Sequence, residues 1–368
     1  MTTDAGSDHD VTVDPDDLRR FVTDAFVATG VPEPDAVLLA DTLVVAELWG
    51  HVSHGVIRLP WYLARLRTGA TRAVTTVETV RDAGSVVVLD GHDGIGQVVT
   101  QRAVETGVER ARRHGVAAVA VRGSGHFGTA AYFTRQVAQA GCIALLATNA
   151  SPAMAPWGAR TKLVGTNPWS IAAPGPDGEA LVLDLANTAV ARGKVYVAAD
   201  RGEPIPSGWA ADAEGNPTTD ARAALEGLIL PMAGPKGYVM SFMFDVLAGV
   251  LTGSAFGADV VGPYRPTGRS GAGHLLIVLD VAAFGPRDEY DERVARLVDE
   301  VHAADPAPWS DGALVPGELE NRARVATERT GIRLSPSAWQ QLRAVADDTG
   351  ATLPTATSPT KPTTRERN

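Results

Sequence analysis

A single cysteine in 368 residues excludes an internal disulfide framework and fits a reducing compartment. No apolar run approaches the ~20 residues that a membrane span needs. The opening ten residues, Met1-Thr-Thr-Asp-Ala-Gly-Ser-Asp-His-Asp, lack the apolar stretch of a secretory signal. Positive charge is not in excess: the formal net charge is -10, which argues against a nucleic-acid partner. No internal repeat is found. These absences point to a cytoplasmic protein with neither membrane nor nucleic acid as partner. What is present, 45% hydrophobic and 21% charged residues, is ordinary for a globular chain long enough for two or more domains.

The chain is organised around Arg122-Gly-Ser-Gly-His-Phe-Gly-Thr-Ala-Ala-Tyr132. The apolar run from Gly115 to Val121 before it reads as a buried strand, and Ala130 to Ala140 after it as a helix closed by Gly141. A second buried strand follows over Cys142–Thr148. A glycine-rich turn between strand and helix thus displays one histidine, His126. Gly123, Gly125 and Gly128 also satisfy G-x-G-x-x-G, but the dinucleotide fingerprint needs an acidic residue about 20 positions on. Here no Asp or Glu occurs between Thr129 and Pro176, and the motif does not open the chain. The glycines are read as making room beside His126.

Upstream, Asp14 is placed to cap a helix with Leu18, Phe21, Val22, Ala25 and Phe26 at helical spacing. A second helix over Pro34–Leu48 is apolar on most sides, so it is expected to be buried. In the next segment His54, Arg58 and Tyr62 are four apart and share one face if it is helical throughout. Pro60 prefers a first helical turn, which would leave His54 in the preceding loop. From Ser85 the pattern is α/β. Strands are expected over 85–90, 168–173, 180–184 and 274–280. Helices are expected over 98–114, 238–251, 287–304 and 336–348. Residues 201–220 read as a long loop and the Thr/Pro-rich tail as disordered.

Five segments together resemble the type-2 malate/L-lactate dehydrogenase family: Ser53-His-Gly-Val-Ile-Arg-Leu-Pro60 with Tyr62, Ser124-Gly-His-Phe-Gly128, Gly165-Thr-Asn-Pro168, Ala191-Arg-Gly-Lys194 and Pro235-Lys-Gly-Tyr238. The resemblance covers roughly residues 15 to 350. It implies an α/β, non-Rossmann mixed-sheet nicotinamide-binding fold with an N-terminal helical region. It also implies a homodimer, an active site between domains, NAD or NADP as cofactor, and a small carboxylic acid as substrate. The expected organisation is a helical substrate-side region over 14–75, joined by 305–350, an α/β region over 76–304, and a disordered tail over 351–368. The chain departs from the family pattern at Ala150, at Asp184-Leu-Ala-Asn-Thr188 and at Val239.

Hydride transfer at a carbon beside a carboxylate requires an acid/base for the oxygen and a cation for the carboxylate. His126 suits the first, since imidazole titrates near neutrality. Arg58 suits the second, since guanidinium grips a carboxylate through two parallel hydrogen bonds. His54 and Tyr62 would add polar substrate contacts, although Tyr62 would also serve in a core. Asp184, Leu185, Ala186, Lys236, Thr166 and Asn167 are assigned by the resemblance to the cofactor, with a turn role for Asn167-Pro168 equally open. The same groups would suit reduction of a cyclic imine carboxylate. Two other classes would draw on the same residues: a zinc site on His51, His54 and His126, and a non-catalytic binder of acidic metabolites. Neither a nearby carboxylate or cysteine cluster nor the family pattern supports zinc, so no metal is assigned.

Overall fold

The computed structural model describes residues 9–357. In chain order its elements are β1 (Val11–Val13), α1 (Pro15–Val27), α2 (Glu33–Leu48), two 3-10 turns (Val52–His54 and Val56–Arg58), α3 (Leu59–Arg67), β2 (Glu78–Asp82), β3 (Val86–Asp90), α4 (Gly96–His114), β4 (Val116–Ser124), α5 (Ala130–Gln139), β5 (Cys142–Thr148), β6 (Trp169–Pro174) and β7 (Ala180–Leu185). There follow α6 (Arg192–Arg201), β8 (Ala210–Ala211), β9 (Pro217–Thr218), α7 (Ala221–Glu226), β10 (Leu228–Ile229) and α8 (Pro235–Asp245), which runs into a π-helical turn (Val246–Val250). The chain then forms β11 (Ala272–Asp280), α9 (Arg287–His302), α10 (Glu318–Thr330), β12 (Ile332–Leu334), α11 (Pro336–Thr349) and β13 (Ala356–Thr357). Among the described residues no helix is long and apolar enough to cross a membrane.

The chain divides into two compact units, one running to Ala64 and resuming at Leu319, the other spanning Arg65–Glu318. The first unit therefore gives way at Ala64 where 75 was expected, and resumes at Leu319 where 305 was expected. Its helix α1 starts where Asp14 accepts the amide protons of Asp16 and Asp17, and it buries Leu18, Phe21, Val22, Ala25 and Phe26. Helix α2 is buried on most of its circumference, as its composition requires. A small sheet in the order β12-β1-β13 ties the beginning of the chain to its end. The expectation of a tail without structure from 351 is corrected here: Ala356 and Thr357 pair antiparallel with Val13 and Thr12. Residues 358–368 lie outside the described part. Residues 201–220, expected as plain loop, contribute β8 and β9 to a three-stranded sheet in the order β10-β8-β9.

The second unit is built on a seven-stranded mixed sheet in the order β2-β3-β4-β11-β5-β6-β7. Strands β3 and β4 are parallel, whereas β11 is antiparallel to both β4 and β5. This is not the parallel doubly wound order of a Rossmann domain. Leu276 and Val278 of β11 and Val119 of β4 face α4, where Gly107 is tight enough that an added Cβ would stand 2.9 Å from Val278. On the opposite face an added Cβ at Gly273 would overlap the carbonyl oxygen of Ala248, so the π-helical turn lies directly against β11. The core on the α4 side contains Val99, Ala103, Val119, Phe133, Leu146 and Leu276.

In the first unit, the 3-10 turns between α2 and α3 are pinned by a buried carboxyl. Glu47 on α2 is 7% exposed, and its Oε1 accepts the Val56 amide proton at 2.9 Å. Any Cβ at Gly55 would overlap that carboxyl group, so the turn needs glycine there. Burial drives the Glu47 carboxyl up to about 7, with the Val56 hydrogen bond opposing it in part. A raised carboxyl holds its proton longer in the fold than in the unfolded chain. Its contribution to stability is complete below about pH 4.5 and is lost as pH rises through about 7. Over that range each unit costs up to ~1.4 kcal/mol. Glu47→Gln keeps an oxygen for Val56 and removes the titration. Its melting temperature should match wild type near pH 5 and exceed it at pH 8, as thermal scans at the two pH values will show. A variant no more stable than wild type at pH 8 would mean that the carboxylate is compensated.

Candidate active site

The clamp residues lie in the first unit. Pro60 sits in the first turn of α3, so His54 and Arg58 fall in the preceding 3-10 turns and only Tyr62 is on the helix. Of the two readings of this segment, the one that Pro60 favours is seen for His54, and Arg58 also precedes the helix. Arg58 donates from Nε to the Ser53 carbonyl oxygen at 2.6 Å, and its guanidinium lies 4.6 Å from the centre of the Trp61 ring. Its two terminal nitrogens make no hydrogen bond among the described residues. The fork is thus fixed in orientation with both outer prongs unspent, as a bidentate carboxylate partner requires. Burial lowers the Arg58 pKa from its ordinary value, and the neighbouring Tyr62 opposes that.

His54 pairs through Nδ1 with Ser53 Oγ at 3.0 Å. Burial first, then the Arg58 and His51 charges, push its pKa down to about 3, so it is neutral throughout the working range. A neutral His54 can donate or accept a hydrogen bond but adds no charge. Tyr62 is 8% exposed and largely a packing residue by area. His51 stands 3.4 Å from Glu320.

His126 lies in the second unit on the turn after β4, as the strand-turn-helix pattern requires. It is half-buried, while the neighbouring Phe127 is inserted into the core against Phe133, with ring centroids 5.5 Å apart. The turn closes on itself: the Gly128 amide donates to His126 Nδ1 at 3.2 Å. A backbone amide can only donate, so the neutral ring carries its proton on Nε2. Gly128 has φ +88°, and nothing lies within 4 Å of where a Cβ would stand, leaving open space beside the histidine.

The cofactor-side residues divide. Lys236 is exposed at the second position of α8, with no ion pair or hydrogen bond among the described residues. The N-cap, Gly234, has no side chain, Pro235 carries no amide hydrogen, and the Gly237 amide donates to the Met232 carbonyl at 3.0 Å. An unpaired ammonium in the first turn of a helix suits a phosphate, so Lys236 fits a dinucleotide cofactor. Thr166 is half-buried, and its carbonyl receives the amide proton and side-chain amide of Asn187. Asn167 is fully buried at φ +37°: its Oδ1 accepts from Ala150 and its Nδ2 donates to the Ser241 carbonyl. Its side chain is therefore consumed within the protein, and of its two expected roles the turn is the one seen. Asp184 is half-buried, and its Oδ2 accepts the Ala131 amide proton at 2.7 Å. At least part of this carboxylate thus serves as an N-terminal cap of α5, directly after the His126 turn. Leu185 and Ala186 are half-buried beside it.

Sequence reasoning missed four contributors. Glu47 and Gly55 shape the clamp turn, Trp61 holds the Arg58 plane, and Asn187 ties Thr166 and Asn167 together. Only Glu47, an acidic residue in an otherwise apolar stretch, left a visible signal.

A sequence model of the malate/L-lactate dehydrogenase family matches residues 13–343. The L-sulfolactate dehydrogenase of Methanocaldococcus jannaschii is 35% identical over 339 residues, covering 92% of this chain and 97% of its own. The solved structure of the sulfolactate dehydrogenase from that organism superposes with a TM-score of 0.87, covering 93% of this chain and 98% of its own. The (2R)-3-sulfolactate dehydrogenase (NADP(+)) of Chromohalobacter salexigens is 42% identical over 274 residues, 74% of this chain and 81% of its own. The Δ1-piperideine-2-carboxylate reductase of Pseudomonas syringae superposes with a TM-score of 0.81 at 31% identity, covering 91% of this chain and 99% of its own. With the mixed sheet, the clamp turn and the His126 turn all in place, the chain belongs to the malate/L-lactate dehydrogenase family and is an oxidoreductase.

Proposed function

We propose that this protein is an NAD(P)-dependent dehydrogenase of small 2-hydroxy acids, of the malate, lactate, sulfolactate or ureidoglycolate type, which reduces the matching 2-oxo acids in reverse. The observation that carries this reading is the Arg58 fork, oriented by Ser53 and Trp61 with both terminal nitrogens available. When bound, the nicotinamide supplies or takes up the hydride. Lys236, in the first turn of α8, would hold a phosphate of the dinucleotide. Arg58 grips the substrate carboxylate and fixes the orientation of the neighbouring carbon. His54, held neutral, and Tyr62 add hydrogen bonds to the substrate without competing for its charge.

His126 exchanges the proton with the substrate oxygen. The ring must be protonated for reduction and neutral for oxidation. Protonation at Nδ1 removes the lone pair that accepts the Gly128 amide, so that contact and the acid form exclude each other. The likeness to a Δ1-piperideine-2-carboxylate reductase supports testing cyclic imines beside 2-oxo acids, since clamp and acid/base suit a C=N bond equally. A panel of 2-oxo acids and Δ1-piperideine-2-carboxylate, each with NADH and NADPH and followed at ~340 nm, tests the reading.

A second copy of the chain is the partner. Along α8 and the π-helical turn, Val239, Phe242, Met243, Val250 and Leu251 are 49–63% exposed at helical spacing. Monomers rarely leave so large an apolar face in water.

Four outcomes are expected. Arg58→Lys should raise KM for the acid by ~10-fold or more, because a point charge cannot reproduce the fork, with cofactor affinity unchanged. Wild-type KM in that variant would remove Arg58 from the clamp. His126→Asn should lower kcat by at least ~100-fold while nicotinamide binding, read by fluorescence quenching, survives. The wild-type pH profiles for reduction and oxidation should bend in opposite directions. Near-wild-type kcat in that variant would make His126 structural. In light scattering the wild type should run as a dimer and Phe242→Asp as a monomer, whereas a monomeric wild type would leave the α8 face without its proposed partner.

A further inference from the structure

Next to the turn that carries His126 lies a second histidine to which the proposed chemistry gives no task. His274 on β11 is 1% exposed. By strand alternation it shares the face of Leu276 and Val278, and its ring reaches two hydroxyl groups. Nδ1 is 2.8 Å from Thr148 Oγ1, on the residue paired with it across β5. Nε2 is 2.7 Å from Ser124 Oγ, at the end of β4. The Thr148 hydroxyl also lies 3.0 Å from the Gly273 carbonyl oxygen and 3.1 Å from that of Asn149. Its one hydrogen goes to a carbonyl, so Nδ1 carries the ring proton and donates to Thr148. Nε2 then accepts the Ser124 hydroxyl hydrogen. Burial pushes the His274 pKa down to about 3, so the ring is neutral and its polarity is fixed throughout the working range.

The location gives the network its use. The β4–β11 ladder slips its register between Ala272 and His274, where β4 gives way to the turn. At the slip, the Ser124–His274 bond joins the two strands through side chains. Phe127, on the other flank of His126, packs edge-on against the same ring with centroids 4.7 Å apart. His274 therefore holds one residue on each side of His126.

We propose that His274 is a positioning residue: through Ser124 and Phe127 it sets the place and ring orientation of His126. This rests on the reading of His126 as the acid/base. A loss of position of about 1 Å at a reacting group can cost ~100-fold in rate. His274→Leu should therefore lower kcat ~10- to 100-fold, with KM for the acid and Kd for the cofactor within about threefold of wild type. His274→Gln can still accept from Ser124 and donate to Thr148, and it should recover most of the lost rate. Ser124→Ala, which removes one hydroxyl, should fall between them.

Two readouts separate positioning from packing. In His274→Leu the pH at which the reduction rate falls should move, whereas a smaller folded fraction scales the profile without moving it. In protein carrying isotope-labelled histidine, the wild-type His126 ring should show the Nε2-protonated tautomer, and His274→Leu should show mixed tautomers. Unchanged pH profile and unchanged His126 signals in His274→Leu would overturn the proposal, whatever the loss in rate. If His274→Leu does not fold, Ser124→Ala is judged by the same two criteria. If wild type reduces none of the acids or imines, the functional reading fails, and the His126 spectra still decide whether His274 positions that ring.

Discussion

Hydrogen bonds from β11 to β4 on one side and to β5 on the other join two stretches of sheet that have no other ladder between them. The strand that forms this seam comes more than a hundred residues after its partners. It runs against both, so all the local strand-helix-strand work from β3 to β5 is incomplete until it arrives. Its residues alternate between α4 on one face and the π-helical turn on the other, which buries most of the strand. A histidine at 274, in the middle of such a strand, is tolerable only with both ring nitrogens partnered, and both are. The seam that completes the sheet is thus also the place from which the His126 turn departs.

The clamp follows a different physical logic. It depends on a short irregular segment made rigid by particular contacts, not on a sheet. Glu47 receives the Val56 amide, Gly55 vacates the space for that carboxyl, and the Ser53 carbonyl takes one edge of the Arg58 guanidinium. Each contact removes a freedom that a substrate would otherwise have to remove on binding. Arginine gains from this arrangement because its planar fork can be fixed on one edge and still present two donors on the other, which an ammonium group cannot do.

Much of the architecture was legible because the buried strands β3, β4, β5 and β11 are apolar runs and α1, α4 and α5 carry helical periodicity. What was not legible has a consistent cause. β2 is a mostly exposed edge strand, Glu-Thr-Val-Arg-Asp, with no apolar pattern to read. β1, β12 and β13 are three residues or fewer, and they exist only through pairing across more than 300 positions. α10 buries none of its residues, so it shows no apolar stripe. In the candidate site, His126 stood out from its turn alone, while Arg58 and Lys236 gained meaning only from the family motifs. Asn167 stayed open between two roles because an Asn-Pro pair looks the same whether it faces a ligand or is buried at positive φ. The Ser124–His274–Thr148 network could not be read at all, since its members are 150 and 126 residues apart.

The glycines of the turn show why a motif has to be read with its topology. Gly123, at φ +60°, folds back where a Cβ would stand 2.6 Å from Asp90 Oδ1, so glycine is needed there for close packing within the protein. Gly125 faces Gly96, where an added Cβ would come within 2.5 Å of the carbonyl oxygens of residues 125 and 126, so the start of α4 closes against the turn. Gly128 alone opens onto free space, and it does so beside the histidine. In a dinucleotide fingerprint the three glycines serve a pyrophosphate at a helix N-terminus, and the next strand lies parallel to the first. Here antiparallel β11 is inserted between β4 and the next strand, β5, and the Ala131 amide in the first turn of α5 is already engaged by the Asp184 carboxylate. A negative group fixed at that helix start repels a phosphate, so the turn is electrostatically unsuited to hold a pyrophosphate and is free to present an imidazole instead.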